Sequence, residues 1–521
     1  MSILDENNFD KLISENTFTI DDENYKDEHS IKIKRDDELN IILNQEIIIS
    51  NKARNCNSNV ISSIPILGEE KTKYIIKNVY FYSYESINIS NNKTKINSEA
   101  YVESIEWNSD ISKNSEYIIE FVDNISNIHF WSNRDDNKIK KQTKIKIDDI
   151  EQMGFSRNNL ILKVDEQEIY LLKNIKKENK KEYTNGTILY KGNPTKELRD
   201  KIRNILSFFI GRILILLEET FYDSNWNKVS YKAFTPYNTM NNRASKINTL
   251  LPIPLNNDFN NLIIEASVLS NYATLFLRNY DLCDFHHISW LYWHAQCSAL
   301  HTKCGELGAT IEALQKAYID NNNEKWTNRI IEKKEFKELR KEIMNIISNF
   351  NITDENKKNL EKKLDFNQLS QIDTLKKLFE HLDISLGELE LKAWQGRNDS
   401  AHGGKMKDYS IEKLQKQTDL IQGIFYKLIL TISINAYEYY DYYSDVRGKR
   451  NHRKFELKEI NELNISSNPR EKWEENIKEV LERNKDKKDE GAISELLNDS
   501  DLEDFDLDTS SFPLSQIKSK R

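Results

Sequence analysis

The chain has few cysteines, few prolines and glycines, and no long apolar run. Four cysteines in 521 residues, with no charged-then-apolar segment at the start, argue against a disulfide-stapled secreted scaffold and point to a reducing cytoplasm. The two most apolar stretches are Ile205–Leu217, broken by Gly211 and Arg212, and Leu428–Tyr437. Both are too short to span a bilayer, so neither a transmembrane helix nor a membrane partner is expected. Excess positive charge is missing as well. A net charge of -9 argues against coating nucleic acid by bulk electrostatics and confines any RNA contact to a local patch. Seven prolines and fourteen glycines amid abundant Asn, Ile and Lys reflect nucleotide bias and are given no mechanistic weight.

What is present predicts a multidomain α+β protein of two to four domains, each long enough to bury a core. Residues 1–190 carry short alternating or apolar runs between polar breaks, notably Ile41–Ile49, Tyr74–Tyr82, Tyr117–Val122 and Leu160–Val164, and so form a β-rich N-terminal domain. Leu160–Val164 and Ile169–Leu172 flank Asp165-Glu166-Gln167-Glu168, a hairpin with a polar loop. Residues 191–258 form a second part of that region: a helix over Thr195–Phe209 stopped by Gly211, a strand or second helix over Arg212–Phe221, and a linker marked by Pro236, Pro252 and Pro254. From 259 to 447 the period becomes helical, over Leu262–Arg278, Trp290–Tyr318, Lys333–Phe350, Leu375–Glu388 and Ile411–Tyr439, giving an all-α bundle. Residues 448–521 comprise a basic knot (Gly448 to Lys454), a short helix at Trp473–Arg483 and a tail. Nine acidic residues and no Lys or Arg lie between Lys488 and Lys518, so the tail is expected to be extended and disordered by self-repulsion. Its interspersed Leu496, Leu497, Leu502, Phe505 and Leu507 also suit docking on a basic surface.

One segment proposes a reaction. Arg397-Asn398-Asp399-Ser400-Ala401-His402-Gly403-Gly404 brings a guanidinium and an imidazole together at a helix end. An imidazole moves protons near neutral pH, and a guanidinium holds a phosphoryl group as it gains charge, which suits phosphodiester chemistry on RNA. Five residues on an ideal helix turn about 500°, so Arg397 and His402 diverge by about 140° and share a site only if the chain bends at His402, as Gly403-Gly404 permits. A 2′-hydroxyl attacking its own phosphate needs one proton removed and another delivered to the leaving oxygen. One His supplies half of that. The simplest source of a second is the same motif on a second chain across a twofold axis, hence a homodimer or larger even-numbered oligomer. Asn398 is the third candidate, orienting a phosphate or the arginine, or else capping the helix.

Arg-Asn-x-x-x-His within a helical domain resembles the HEPN ribonuclease signature. The variant here, after a long helix containing Ile311-Glu312-Ala313-Leu314 and behind a β-rich region, most resembles the ApeA-like HEPN branch. That resemblance covers about 260–445 by motif and 1–255 by position and general pattern, and the acidic tail is not part of it. It implies an N-terminal β-rich region that senses or regulates, with an antiphage abortive-infection role and a phage-derived trigger. It also implies a dimer with a composite cleft, RNA cleavage, including transfer RNA, that leaves a cyclic phosphate without a metal cofactor, and a supporting role for Glu312.

Two further constellations compete for attention. Cys283, His286, His287, His294, Cys297, His301 and Cys304 fall within 22 residues, where an even spread of the chain's Cys and His would put fewer than one. On a continuous helix His294, Cys297, His301 and Cys304 would line one face, and Cys283 or His286 from the preceding turn could complete a structural zinc site. The alternative is a packed core stripe. The run Tyr437 to Tyr443, followed by Arg447, Lys449 and Arg450, would either stack bases through Tyr439 and Tyr442 and hold phosphates, or form a packed helix end with a charged exit. The functional alternatives are accordingly a HEPN scaffold that dimerises or binds RNA without cutting, and a zinc-dependent hydrolase.

Overall fold

The structure is a computed structural model that describes residues 12, 18–20, 29–50, 60–67, 72–90, 93–109, 114–125, 142–147, 150–155, 159–173, 176–178, 181–183, 185–236, 249, 251–253, 255, 264–322, 328–401, 410–436, 438–443 and 455–456. His402, Arg447, Lys449, Arg450, the basic knot, the Trp473–Arg483 helix and the acidic tail lie outside the described residues.

The β-rich half is an antiparallel sheet, twelve-stranded among the described residues. Its strands are β1 (Thr19–Ile20), β2 (His29–Arg35), β3 (Ile41–Ser50), β4 (Val60–Leu67), β5 (Lys73–Ser90), β6 (Lys93–Asn108), β7 (Tyr117–Asp123), β8 (Asn159–Val164), β9 (Gln167–Lys173), β10 (Gly186–Lys191), β11 (Ile215–Tyr222) and β12 (Lys228–Phe234). The order is β1-β4-β5-β6-β12-β11-β7-β10-β9-β8. The long β6 serves two neighbours along one edge, β3 over Lys93–Val102 and β12 over Ser104–Asn108. Arg212–Phe221, ambiguous as sequence, contributes a strand because β11 lies between β7 and β12 and meets partners on both edges. The 160–172 hairpin has a tighter turn than its polar loop suggested: Val164 pairs with Gln167, leaving Asp165-Glu166 as the turn, with Asp165 at φ 55°.

Helix α1 (Lys196–Ile210) obeys its local signals: the Thr195 side chain accepts from the Leu198 N–H, and Gly211 closes the helix at φ 74°, left-handed backbone that glycine adopts without strain. The helical half follows as α2 (Ala266–Arg278), α3 (Phe285–Cys297), α4 (Leu300–Asn321), α5 (Lys333–Asn349), α6 (Asp354–Lys363), α7 (Gln371–His381), α8 (Glu388–Ala401) and α9 (Ile411–Ile434). The helix expected over Leu375–Glu388 is instead the end of α7, a break containing Asp383 at φ 55°, and the start of α8. Helix α9, buried almost all round, is the central rod, packed against α2, α4 and α8.

Cores do not follow the expected divisions at 190 and 258. Strands β2 to β6 with β12 enclose one apolar cluster, whereas β7 to β10 and α1 share a second with the helices. The edge strand β8 is covered by α2: the backbone N–H groups of Lys163 and Asp165 donate to Ser270 Oγ (3.1 Å) and Thr274 Oγ1 (2.8 Å). Alternate strand residues and i, i+4 helix residues recur at similar spacing, so one helix face can satisfy a strand edge. This seam ties the helical half to the sheet.

Candidate active site

Helix α8 shows how the motif is held. Its first turn carries Glu388 and Glu390, which favour a helix N-terminus. The Gly387 N–H donates to Glu390 Oε2 (2.9 Å), one half of a capping box. Glu390, Trp394 and Arg397 recur at i, i+4 and i+7, so two charged residues occupy the face that an ordinary amphipathic helix gives to apolar side chains. Each has an opposite charge brought to it. Lys427 of α9 reaches Glu390 at 3.0 Å with both side chains 0% exposed, and also donates to the Ser385 carbonyl at 3.1 Å. Burial raises the Glu390 carboxyl above its ordinary range, with Lys427 acting against that rise.

Arg397 is 5% exposed. Its guanidinium carbon lies 3.6 Å from the centroid of the buried Trp394 ring, Nη1 donates to the Trp394 carbonyl (2.7 Å), and Nη2 is ion-paired with Glu312 of α4. The stem crosses α4 at Gly308, where a Cβ would stand 2.5 Å from Arg397 Cδ and 3.0 Å from Nε. Glycine here is a notch that lets the arginine lie flat. Two of the five guanidinium N–H donors are committed, and Nε has no partner among the described residues. One turn beyond Glu312, both amide atoms of the buried Gln315 lack hydrogen-bond partners among the described residues, as does Trp394 Nε1. Gly308 and Gln315 were not among the residues singled out from sequence, since a helical Gly and a helical Gln carry no signal until α8 is placed against α4.

Arg397 to Ala401 lie within α8, which begins at Glu388, so the motif does not open a helix. Helix α8 is described through Ala401; Asn398 lies within it, while His402 follows it directly in sequence and falls outside the described residues. Arg397 and Glu312 are therefore brought together, and the position of His402 is not part of that geometry.

The Cys/His cluster is corrected in one respect. The expected single helix over Trp290–Tyr318 breaks at Ser298-Ala299, both in extended backbone, so His294 and Cys297 end α3 while His301 and Cys304 begin α4. The one-face stripe that supported a zinc site does not exist. Ser298 donates to the His294 carbonyl at 3.0 Å and is bonded to Glu306, which stabilises the break. Cys283 is buried against the Asn279 and Tyr280 carbonyls and Ser433. Burial pushes the thiols of Cys283 and Cys304 up to about 12, with Arg397 the counteracting influence at Cys304. His294 packs on Trp290 at 4.0 Å, and His301 is exposed. Among the described residues no group of three or more His, Cys, Asp or Glu is arranged to hold a metal.

The aromatic run is corrected as well. Tyr439 is 1% exposed, with its ring 5.5 Å from Lys427 Nζ, and Tyr442 is half-buried and donates to the Leu251 carbonyl at 2.6 Å. Tyr439 presents no face to a base; both residues are packed, but α9 ends at Ile434 and not at Tyr439 as expected, and Glu438–Tyr439 is instead a short strand paired with Phe455–Glu456. No helix among the described residues is long and apolar enough to cross a membrane. Comparison with known proteins finds no matching family model, curated relative or solved structure.

Proposed function

We propose that this chain is a metal-independent endoribonuclease of the HEPN type, cleaving RNA by 2′-hydroxyl attack at a site completed by a second copy. The observation that carries the reading is the state of Arg397, buried and stacked on Trp394, anchored by Glu312, yet with three N–H donors uncommitted among the described residues. A guanidinium held this way need not reorganise when a phosphoryl oxygen gains charge, which is where electrostatic catalysis is most effective. In the mechanism, one His402 removes the 2′-hydroxyl proton. His402 of the other copy protonates the leaving 5′-oxygen, and the products carry a 2′,3′-cyclic phosphate and a 5′-hydroxyl. Arg397 meets the equatorial oxygens, and Asn398 orients the phosphate. The resemblance to ApeA-like proteins extends the reading to antiphage abortive infection, with the β-rich half responding to a phage-derived trigger and transfer RNA among the substrates.

The same burial favours one competing reading. An arginine paired to Glu312 and seated on Gly308 could serve to hold α8 on α4, in a domain that dimerises or binds RNA without cutting. Incubating the full chain with transfer and messenger RNA in chelator separates the two. Cleavage that persists in chelator and falls by roughly 10²–10⁴-fold in both Arg397→Ala and His402→Ala supports the enzyme. Activity unchanged in His402→Ala overturns it.

A further inference from the structure

Residues 328–369 form an arm whose helices contribute nothing to the core. Its neck is a short ladder: Ile330 N–H donates to the Asn367 carbonyl (3.3 Å), Leu369 N–H to the Asn328 carbonyl (2.8 Å), and the Asn367 side chain bonds both ways with the Ile331 backbone. Beyond the neck, neither α5 nor α6 contains a buried residue. Helices of 17 and 10 residues derive most of their stability from tertiary packing, so an arm without a core is an unfinished assembly.

Its apolar residues are placed for a partner. Phe336, Leu339, Ile343, Ile346 and Phe350 follow the 3–4 spacing of a helix-packing seam. Of these, Leu339, Ile346 and Phe350 are 45%, 59% and 65% exposed, and Phe366 at the far end of the arm is 72% exposed. From Ile343 to Phe350 the helix has no charged residue, whereas Lys333–Glu342 carries five Lys/Arg and three Glu.

We infer that the α5–α6 arm is the surface on which two copies of this chain pair, the two arms closing as a four-helix bundle around Leu339, Ile346 and Phe350. The choice of a second copy rests on the two-chain reading above, and three features fit it. An antiparallel, twofold arrangement centred on Ile343 sets Leu339 against the second copy's apolar turn at residues 346–347 and Phe336 against the second copy's Phe350. The flanks carry both signs, which suits a like copy better than a polyanion. An arm of more than 30 residues matches the roughly 20–30 residues a side of a stable interface.

The test is the mass of the full chain in solution across a concentration series. Wild type is expected to be dimeric, or a larger even-numbered oligomer, at micromolar concentration. Ile346→Glu with Phe350→Glu, both at exposed positions and so without consequence for the core, is expected to raise the dissociation constant by roughly 100-fold or more. In the otherwise unaltered chain, Ile343→Cys, at the twofold centre where each residue meets its own copy, is expected to give an oxidised cross-linked dimer that wild type does not. A monomeric wild type, or an oligomer that survives the double substitution, overturns the proposal. A monomeric variant that still cleaves RNA at the wild-type rate leaves the surface standing and removes the two-chain active site.

Discussion

Two buried arginines, one in each half, show what burial alone does not reveal. Arg199 of α1 is 3% exposed, and all three of its guanidinium nitrogens donate: Nε to Glu120 (3.0 Å), Nη1 to the Pro194 carbonyl (2.9 Å) and Nη2 to Glu219 (2.6 Å). Arg203 reaches the other Glu120 oxygen at 2.8 Å, so the knot between α1 and the sheet is closed. Arg397 is buried almost as deeply but meets a single, partly exposed carboxylate and leaves Nε uncommitted among the described residues. A closed knot is what fold stability requires. An arginine held rigid with donors to spare is what a phosphate site requires, and donor accounting separates the two where exposure does not.

The sharpest way to break the comparison is to remove each arginine in turn. Arg199→Met leaves Glu120 and Glu219 buried with too little positive charge, and should cost about 3–5 kcal/mol in a denaturant titration. Glu390→Ala, which removes the carboxylate paired with the fully buried Lys427, should fall in the same range. Arg397→Met should cost only about 1–2 kcal/mol, because Glu312 can turn to solvent, while abolishing cleavage. Equal losses for Arg199 and Arg397 would erase the distinction. A smaller effect is expected from Gly308→Ala, about 1 kcal/mol of stability but a larger fractional loss of cleavage, since the methyl group displaces Arg397 without removing it. Wild-type activity in this variant would show that the notch does not position the guanidinium.

The smallest effect is a pH dependence. Folded Cys283 and Cys304 ionise at about 12, against 9.0 ordinarily. Their contribution is complete below pH 9.0 and is lost as pH rises through that window, because the unfolded thiols ionise first. Each should account for on the order of 1 kcal/mol between pH 9.0 and 10. Cys304→Ala should flatten the curve, and an unchanged slope would contradict the burial argument.

Local chemistry was legible in the sequence wherever one segment decides its own structure. Thr195 and Gly211 mark the ends of α1. Elements that depend on distant partners were not legible. Arg212–Phe221 is a strand because β7 and β12 flank it, and the Trp290–Tyr318 period runs through a break stabilised by Ser298 and Glu306. Tyr439 sits in a polar-looking run yet packs against Lys427, whose own partner is 37 residues away. Glu312 was named on resemblance, but its role as the Arg397 counter-charge needed α4 and α8 side by side.

The most direct measurement of the central claim is the chemistry of the cut end. RNA incubated with the full chain in chelator should acquire a 2′,3′-cyclic phosphate, and neither Arg397→Ala nor His402→Ala should produce it. A 3′-hydroxyl end, or a cyclic phosphate still formed by His402→Ala at the wild-type rate, would contradict the account.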